Sequence, residues 1–363
     1  MPCIGEYTTT REERPGMTHR LMRPLAFALS WLVLASCSDT TTEPATPGAA
    51  GPTAPALAVA SNSWITRTDM PTERWALAAA AVTNDAGESI LYAIGGTTTL
   101  GGSASLSKVQ AYNVATNTWT TKAPLPVPIY WSNGVGVIGG KLYISGGLAS
   151  FRNYMRTLYM YDPATNAWTR KHDLPSLTFT GVTGVINGRL YVLTGCNDAE
   201  ACAPSNDPVA FYRYDPPTDH WAVLPKPTRA HAEGMGGVIG GKFYVTGGDD
   251  ETGGVSQLDV YDPATNRWAT KAPMPRGRWL GAGTVLGGKL YVMGGDQFSL
   301  DGLTVTAIRT TIVYDPSTDT WKTKAPLPTA RAGIAASRVV LNGQARIEVV
   351  GGNRPGNNLA YVP

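Results

Sequence analysis

Histidine and cysteine are scarce in this chain of 363 residues, with four of each. His19, Cys3 and Cys37 precede anything that reads as a folded domain, which leaves His172, His220, His231, Cys196 and Cys202. Three dispersed histidines do not supply a metal set, and no zinc spacing, phosphate loop or nucleophile with its base appears. The residues therefore imply no metal and no cofactor. Net charge is also small, 30 Lys+Arg against 27 Asp+Glu. There is no basic stripe of the kind that nucleic-acid binding needs. The apolar run Leu25–Ser36 falls well short of the ~20 residues of a spanning helix.

Glycine and proline, by contrast, are plentiful, at 41 and 27 residues, and they fall at regular intervals. The stretch Gly240–Pro275 shows the unit: Gly-Gly-Lys-Phe-Tyr-Val-Thr-Gly-Gly, an acidic loop, Leu-Asp-Val-Tyr-Asp-Pro-Ala-Thr-Asn-Arg-Trp, then Ala-Thr-Lys-Ala-Pro-Met-Pro. Gly240-Gly241 between apolar runs marks a two-residue hairpin. Lys242–Thr246 and Leu258–Tyr261 have strand composition, and Asp262-Pro263-Ala264-Thr265-Asn266 has turn chemistry. The diglycine position recurs at Gly96, Gly147, Gly195, Gly248, Gly295 and Gly352, with spacings of 51, 48, 53, 47 and 57. A tyrosine recurs at Tyr112, Tyr161, Tyr214, Tyr261, Tyr314 and Tyr361, and a tryptophan at Trp64, Trp119, Trp168, Trp221, Trp268 and Trp321. Two copies depart from the pattern, with Thr194 for the first glycine of a pair and Asn113 for the turn Asp.

Six copies in register, near the period of about 50 residues of kelch arrays, resemble a kelch-repeat β-propeller over residues 61–363. The expected fold is all-β: six blades of four antiparallel strands. The last repeat ends on a third strand at Tyr361, and Ser61–Thr66 is a Trp strand with nothing before it. The N-terminal strand is expected to close the last blade.

Residues 1–36 read as an N-terminal extension and export signal, with Met17 a second start. Arg20 and Arg23 precede the apolar run, and small residues follow it. Leu34-Ala35-Ser36-Cys37 resembles the lipobox of bacterial lipoproteins, which implies lipidation at Cys37. Residues 37–60, rich in Thr, Pro, Ala and Gly, read as a linker. The expectation is an extracytoplasmic, membrane-anchored monomer, periplasmic or at the cell surface, touching membrane through its lipid alone. In an exported chain Cys196 and Cys202 are expected to pair as a disulfide.

Strand direction sorts the tight Gly-Gly and Asp-Pro turns onto one face. The varied loops fall on the other, where binding residues concentrate. Candidates at the starts of inner strands are Arg74, Trp75, Tyr130, Trp131, His231, Glu233, Arg278, Trp279 and Arg331. The loops after the diglycines add Phe151, Arg152, Asp249, Asp250, Asp296 and Arg354. Arg suits carboxylates, and aromatic faces suit sugars or peptide side chains. The first reading is a non-enzymatic module for an envelope protein or glycan. The alternative is a sugar mutarotase resembling the N-acetylneuraminate epimerases, also kelch propellers, with Glu233 and His231 as acid/base pair and Arg278 or Arg74 on the carboxylate. The fold also resembles the catalytic domain of galactose oxidase, but a copper site of that kind needs more imidazoles than this chain places near the axis.

Overall fold

The structure is a computed structural model that describes residues 60–84, 87–99, 104–195, 209–249, 254–299, 304–352 and 358–363. These residues contain no helix. They form six four-stranded antiparallel sheets. Blade 1 comprises Ala78–Thr83, Ser89–Ile94, Val109–Asn113 and Thr118–Lys122, from inner strand to outer. Blade 2 comprises Val135–Ile138, Lys141–Ser145, Leu158–Asp162 and Ala167–Lys171. Blade 3 comprises Val182–Ile186, Arg189–Leu193, Phe211–Asp215 and His220–Leu224. Blade 4 comprises Met235–Ile239, Lys242–Thr246, Leu258–Asp262 and Arg267–Lys271. Blade 5 comprises Ala282–Leu286, Lys289–Met293, Thr311–Asp315 and Thr320–Lys324. Blade 6 comprises Ile334–Leu341, Gln344–Gly351 and Asn358–Val362, and Ser63–Thr66 is its outer strand, with Trp64 opposite Tyr361. The ring therefore closes as the two chain ends imply. A further hairpin, Asp296–Phe298 with Val305–Ala307, rises between the second and third strands of blade 5 and was not foreseen.

The repeated Tyr, Trp and Asn turn out to be one inter-blade clamp. Each repeat tyrosine is at most 2% exposed. Its hydroxyl donates to the Oδ1 of an Asn or Asp in the left-handed region, five residues on in five repeats, as from Tyr161 to Asn166 at 2.7 Å, and at Asn62 for Tyr361. The same oxygen accepts a backbone N–H from the preceding blade, that of Ala123 at 2.9 Å, and the Ala123 carbonyl accepts the Trp168 indole N–H at 2.9 Å. The indole bond occurs at all six junctions: Trp64 to Ala325, Trp119 to Thr68, Trp168 to Ala123, Trp221 to His172, Trp268 to Pro225 and Trp321 to Ala272. Proline has no N–H to donate, so at Pro225 the clamp keeps the indole bond and lacks the amide bond. Asn113 keeps the turn bond of the Asp it replaces, its Oδ1 accepting from Ala115 N at 2.9 Å just as Asp262 does from Ala264 N, but makes no ion pair like that of Asp262 with Lys242.

The diglycines have a different use. In five pairs both residues have φ between 58° and 100°. A side chain at Gly95 would run into the Ile129 carbonyl of the next blade. The second N–H of each of these pairs donates to the next blade, as from Gly147 to Thr178 O at 2.8 Å. The Thr194-Gly195 pair is the exception. Its Thr194 Oγ1 accepts from Ala210 N at 2.7 Å, tying the second strand to the third instead.

Candidate functional site

The end of the channel on the varied face is built in layers, because each blade presents the same three positions before its inner strand. The first holds Arg74, Ile129, Thr178, His231, Arg278 and Arg331, all at most 3% exposed. The second holds Trp75, Tyr130, Phe179, Ala232, Trp279 and Ala332. The third holds Ala76, Trp131, Thr180, Glu233, Leu280 and Gly333, every one in the left-handed region, with φ from 49° to 64°. Five of these six carry a side chain, in a conformation that costs such residues about 1–2 kcal/mol. What holds them there is a closed cycle of backbone hydrogen bonds. Ala76 N–H donates to Gly333 O, Gly333 to Leu280, Leu280 to Glu233, Glu233 to Thr180, Thr180 to Trp131 and Trp131 to Ala76, all within 2.8–3.1 Å.

The first layer turns its charges away from the channel. Arg74 donates to the Gln110 side chain and the Ala93 carbonyl, each at 2.9 Å. Arg278 reaches the carbonyls of Gly294 and Thr310 at 3.3 Å, and Arg331 reaches Thr329 Oγ1 at 2.9 Å. Burial lowers Arg74 and Arg278 to about 10, which leaves both charged at neutral pH. His231 lies between the Gly247 carbonyl at 2.8 Å and Asp259 Oδ2 at 3.1 Å. Burial works to raise the Asp259 carboxyl, but hydrogen bonds from His231, Thr270 and Gln257 outweigh it and hold it below its usual range. Arg74, Arg278 and His231 thus bind their blades to themselves, and Arg331 is held by the segment that leads into blade 6. Ile129 and Thr178, at the same position of other repeats, carry the signal that this position faces the core.

The channel is a cavity of about 200 Å³, lined by small residues of the inner strands together with Trp131, Asn133, Thr180 and Glu233. No Arg or His lines it among the described residues. Glu233 is half-buried at its mouth. Burial first, then the neighbouring Asp249 and Asp296, push its carboxyl up to about 8. Burial pushes Asp296 up to about 6. Asp249 pairs with Ala232, and Asp296 with Trp279, by isolated bridges that bring both carboxylates beside the mouth on blades 4 and 5.

Aromatic rings hold the opposite sector. Trp75 and Trp131 meet edge to face at 5.6 Å, Tyr130 lies 5.2 Å from Trp131, and Tyr154 lies 5.0 Å from Phe179. Phe151 stands out, 53% exposed, with the Arg152 guanidinium 5.4 Å over its ring. On blade 5 Trp279 packs 5.1 Å from Phe298 of the extra hairpin. Sequence reasoning missed Asn133, fully buried, whose Oδ1 accepts from Thr178 Oγ1 at 3.2 Å and Gly181 N at 3.0 Å and so ties blade 2 to blade 3. Cys37, Cys196, Cys202, Asp250 and Arg354 lie outside the described residues.

The chain is similar to known proteins in both sequence and fold. The KLHDC2/KLHL20/DRC7 Kelch-repeats domain matches residues 78–295, and the Kelch motif matches residues 281–328. Kelch-like protein 25 of Xenopus tropicalis is 31% identical over 168 residues, which are 44% of this chain and 27% of that protein. Kelch-like protein terF of Aspergillus terreus is 30% identical over 152 residues, 40% of this chain and 33% of that one. The matched part thus spans about a quarter to a third of the length of these curated relatives. Among solved structures, one titled "Structure of YjhT" superposes with a TM-score of 0.64 over 81% of this chain and 95% of its own, at 18% identity, a likeness of fold. A kelch domain that matches well over half of the chain, laid on six blades joined by the repeat Trp, Tyr and Asn, makes this chain a member of the kelch-repeat family.

Proposed function

We propose that the propeller is a non-enzymatic binding module and that it takes a protein partner on its varied loop face. One observation carries this reading: the mouth is divided between aromatic rings on blades 1–3 and the carboxylates Glu233, Asp249 and Asp296 on blades 4 and 5. Large rings flanked by charge are the usual anchors of protein interfaces. The kelch-like relatives are consistent with it. The test is a binding screen of the full chain against envelope proteins and glycans. Trp75→Ala and Phe151→Ala are expected to weaken a protein partner at least tenfold while the melting temperature stays put. Unchanged binding by both variants would remove the loop face from the proposal, and binding of polysaccharide alone would replace the partner class.

A second reading, sugar mutarotation, is favoured by Glu233, a carboxyl that can give and take a proton near neutral pH. Its expected arginines, Arg74 and Arg278, are turned into their blades, so among the described residues no guanidinium lines the cavity. Catalysed anomer exchange of sialic acid, measured by NMR and abolished in Glu233→Gln, would displace the first reading.

The same proposal includes export and a lipid tether at Cys37, motivated by the order of basic, apolar and small residues ahead of that cysteine. Cys37→Ala is expected to move the protein from the membrane to the soluble fraction. Membrane fractionation identical to that of the parent chain would refute the tether.

A further inference from the structure

A second cavity, of about 540 Å³, opens at the rim between blades 2 and 3, and it shares no lining residue with the channel. Its wall includes Arg156, Arg170, Lys171, His172, Asp173 and His220, with Trp221 beside them. Both histidines sit at positions fixed by the repeat. His172 is the clamp residue whose counterparts are Thr68, Ala123, Pro225, Ala272 and Ala325. His220 precedes the repeat Trp, where other blades have Ser63, Thr118, Ala167, Arg267 and Thr320. This is the one junction of six with an imidazole at both positions.

The rings stack with centroids 5.6 Å apart and planes within 13°. The backbone beneath His172 is held at both ends: its N–H donates to Asp219 Oδ1 at 3.0 Å and its carbonyl accepts the Trp221 indole at 2.9 Å. His220 Nδ1 faces the Thr218 carbonyl at 2.5 Å.

Charge in the cavity is in surplus. Asp173 is gripped by Arg170 through Oδ1 at 3.2 Å and Oδ2 at 2.8 Å, with Arg156 Nε at 3.7 Å from Oδ2. Asp219 faces the pair from below and is held under its usual range, first by the Tyr214 hydroxyl, with Lys171 and His172 contributing. Three permanent cations thus face two carboxylates before either imidazole is charged. The nearby phenols of Tyr143 and Tyr214 are raised, chiefly by burial, and add no charge below pH 10. Protonating two stacked rings brings like charges together, and an oxyanion beside both rings relieves that repulsion.

We propose that this rim cavity is a binding site for a tetrahedral oxyanion, sulfate or phosphate, free or carried as a sugar ester, and that acid strengthens it. Lys171 and Arg156 supply fixed charge, the His172 and His220 rings supply charge that depends on pH, and Trp221 offers an apolar wall to a carrier sugar.

The probe is sulfate, because it keeps its charge from pH 5.5 to pH 8 where phosphate does not. Inorganic sulfate and glucose 6-sulfate are titrated into the full chain by calorimetry at both pH values, with ionic strength held constant by sodium chloride. Saturable binding at least tenfold tighter at the lower pH is expected. Lys171→Gln is expected to weaken it tenfold or more, and the double variant His172→Gln/His220→Gln to remove its pH dependence. Arg267→Gln, the counterpart of His220 on another blade, should bind like the parent chain. Tighter binding of the ester assigns the site to esters, and equal binding assigns it to the bare ion. Absence of saturation for both probes, equal affinity at the two pH values, or an undiminished Lys171→Gln variant overturns the proposal. The histidine and lysine side chains are exposed or half-buried, so near-UV circular dichroism should confirm that these variants keep the fold.

Discussion

Deleting residues 61–66 is expected to unfold the whole propeller rather than loosen one edge. That segment contains the outer strand of blade 6, paired with Asn358–Val362. It also carries half of a clamp. Trp64 donates to Ala325 O at 2.9 Å, and Asn62 Oδ1 accepts from Tyr361 at 2.8 Å and from Ala325 N at 2.9 Å. Trp64 and Tyr361 pack with ring centroids 5.2 Å apart. Removal strips the strand ladder from Asn358–Val362, leaves the Tyr361 hydroxyl without its partner, and uncovers a ring that is otherwise fully buried. An orphaned buried polar group costs about 1–3 kcal/mol and a lost buried ring about 3–5 kcal/mol. The sum approaches the ~5–15 kcal/mol by which a whole domain is stable. Loss of the cooperative thermal transition, or a melting temperature lower by more than ~15 °C, is the expected readout by circular dichroism. A deleted chain that melts within a few degrees of the parent would show that the ring does not depend on this strand.

The second large effect concerns Glu348, fully buried on the second strand of blade 6. Neither carboxyl oxygen has a hydrogen-bond partner. Arg67 Nε is 3.9 Å away, a poor ion pair, because that guanidinium already donates to Tyr112 Oη at 2.9 Å and Val114 O at 2.7 Å. Burial therefore prevails over the pull of Arg67 and Arg346 and pushes the carboxyl up to about 8. The folded chain keeps this proton between the ordinary glutamate range and pH 8, whereas the unfolded chain releases it. The contribution of this group to stability is greatest at acid pH, falls as pH rises through that window, and is lowest above pH 8. At 1.36 kcal/mol per pKa unit the loss is on the order of 3–5 kcal/mol. Glu348→Gln is expected to melt several degrees above the parent at pH 8 and to match it near pH 5. Equal melting temperatures at pH 8 would mean that the carboxyl is ionised and accommodated. Asp259 and Asp219, held below their usual range, act in the opposite sense, losing their contribution as pH falls through their folded values. The comparison with Glu348→Gln isolates one group from this background.

Blade count, strand order and closure were legible in the sequence because the markers are local and repeat. Lys242–Thr246 was bounded to the residue by its flanking glycines. The inner strand of blade 4 starts at Met235 and not at Glu233, because Glu233 belongs to the left-handed cycle. Nothing in Ala76, Trp131, Thr180, Glu233 and Leu280 announces that cycle. Their conformation is imposed by a carbonyl on the neighbouring blade, one repeat away in sequence for four of them and at the far end of the chain, on Gly333, for Ala76. Arg74 and Arg278 lie deeper than their position in the sequence suggests, for a related reason. A charge at the start of an inner strand reads as exposed, yet Arg74 finds Gln110 on the third strand of its own blade. Trp75 and Trp131 meet at the mouth because consecutive blades place neighbouring layers side by side.

The cycle of six hydrogen bonds also decides the field along the channel. Every N–H in it points the same way round, from each blade to an adjacent one. A peptide unit carries a dipole of about 3.5 D, and in a helix such dipoles add along one axis. Here they lie head to tail around a circle, so their vectors sum to nearly zero. The backbone gives the bore no positive end to draw an anion and no negative end to draw a cation. Its sign falls to side chains, and among the described lining residues Glu233 is the sole ionisable one. The bore is nearly neutral when that carboxyl holds its proton and negative when it does not, while Asp249 and Asp296 bear on the same carboxyl from beside the mouth.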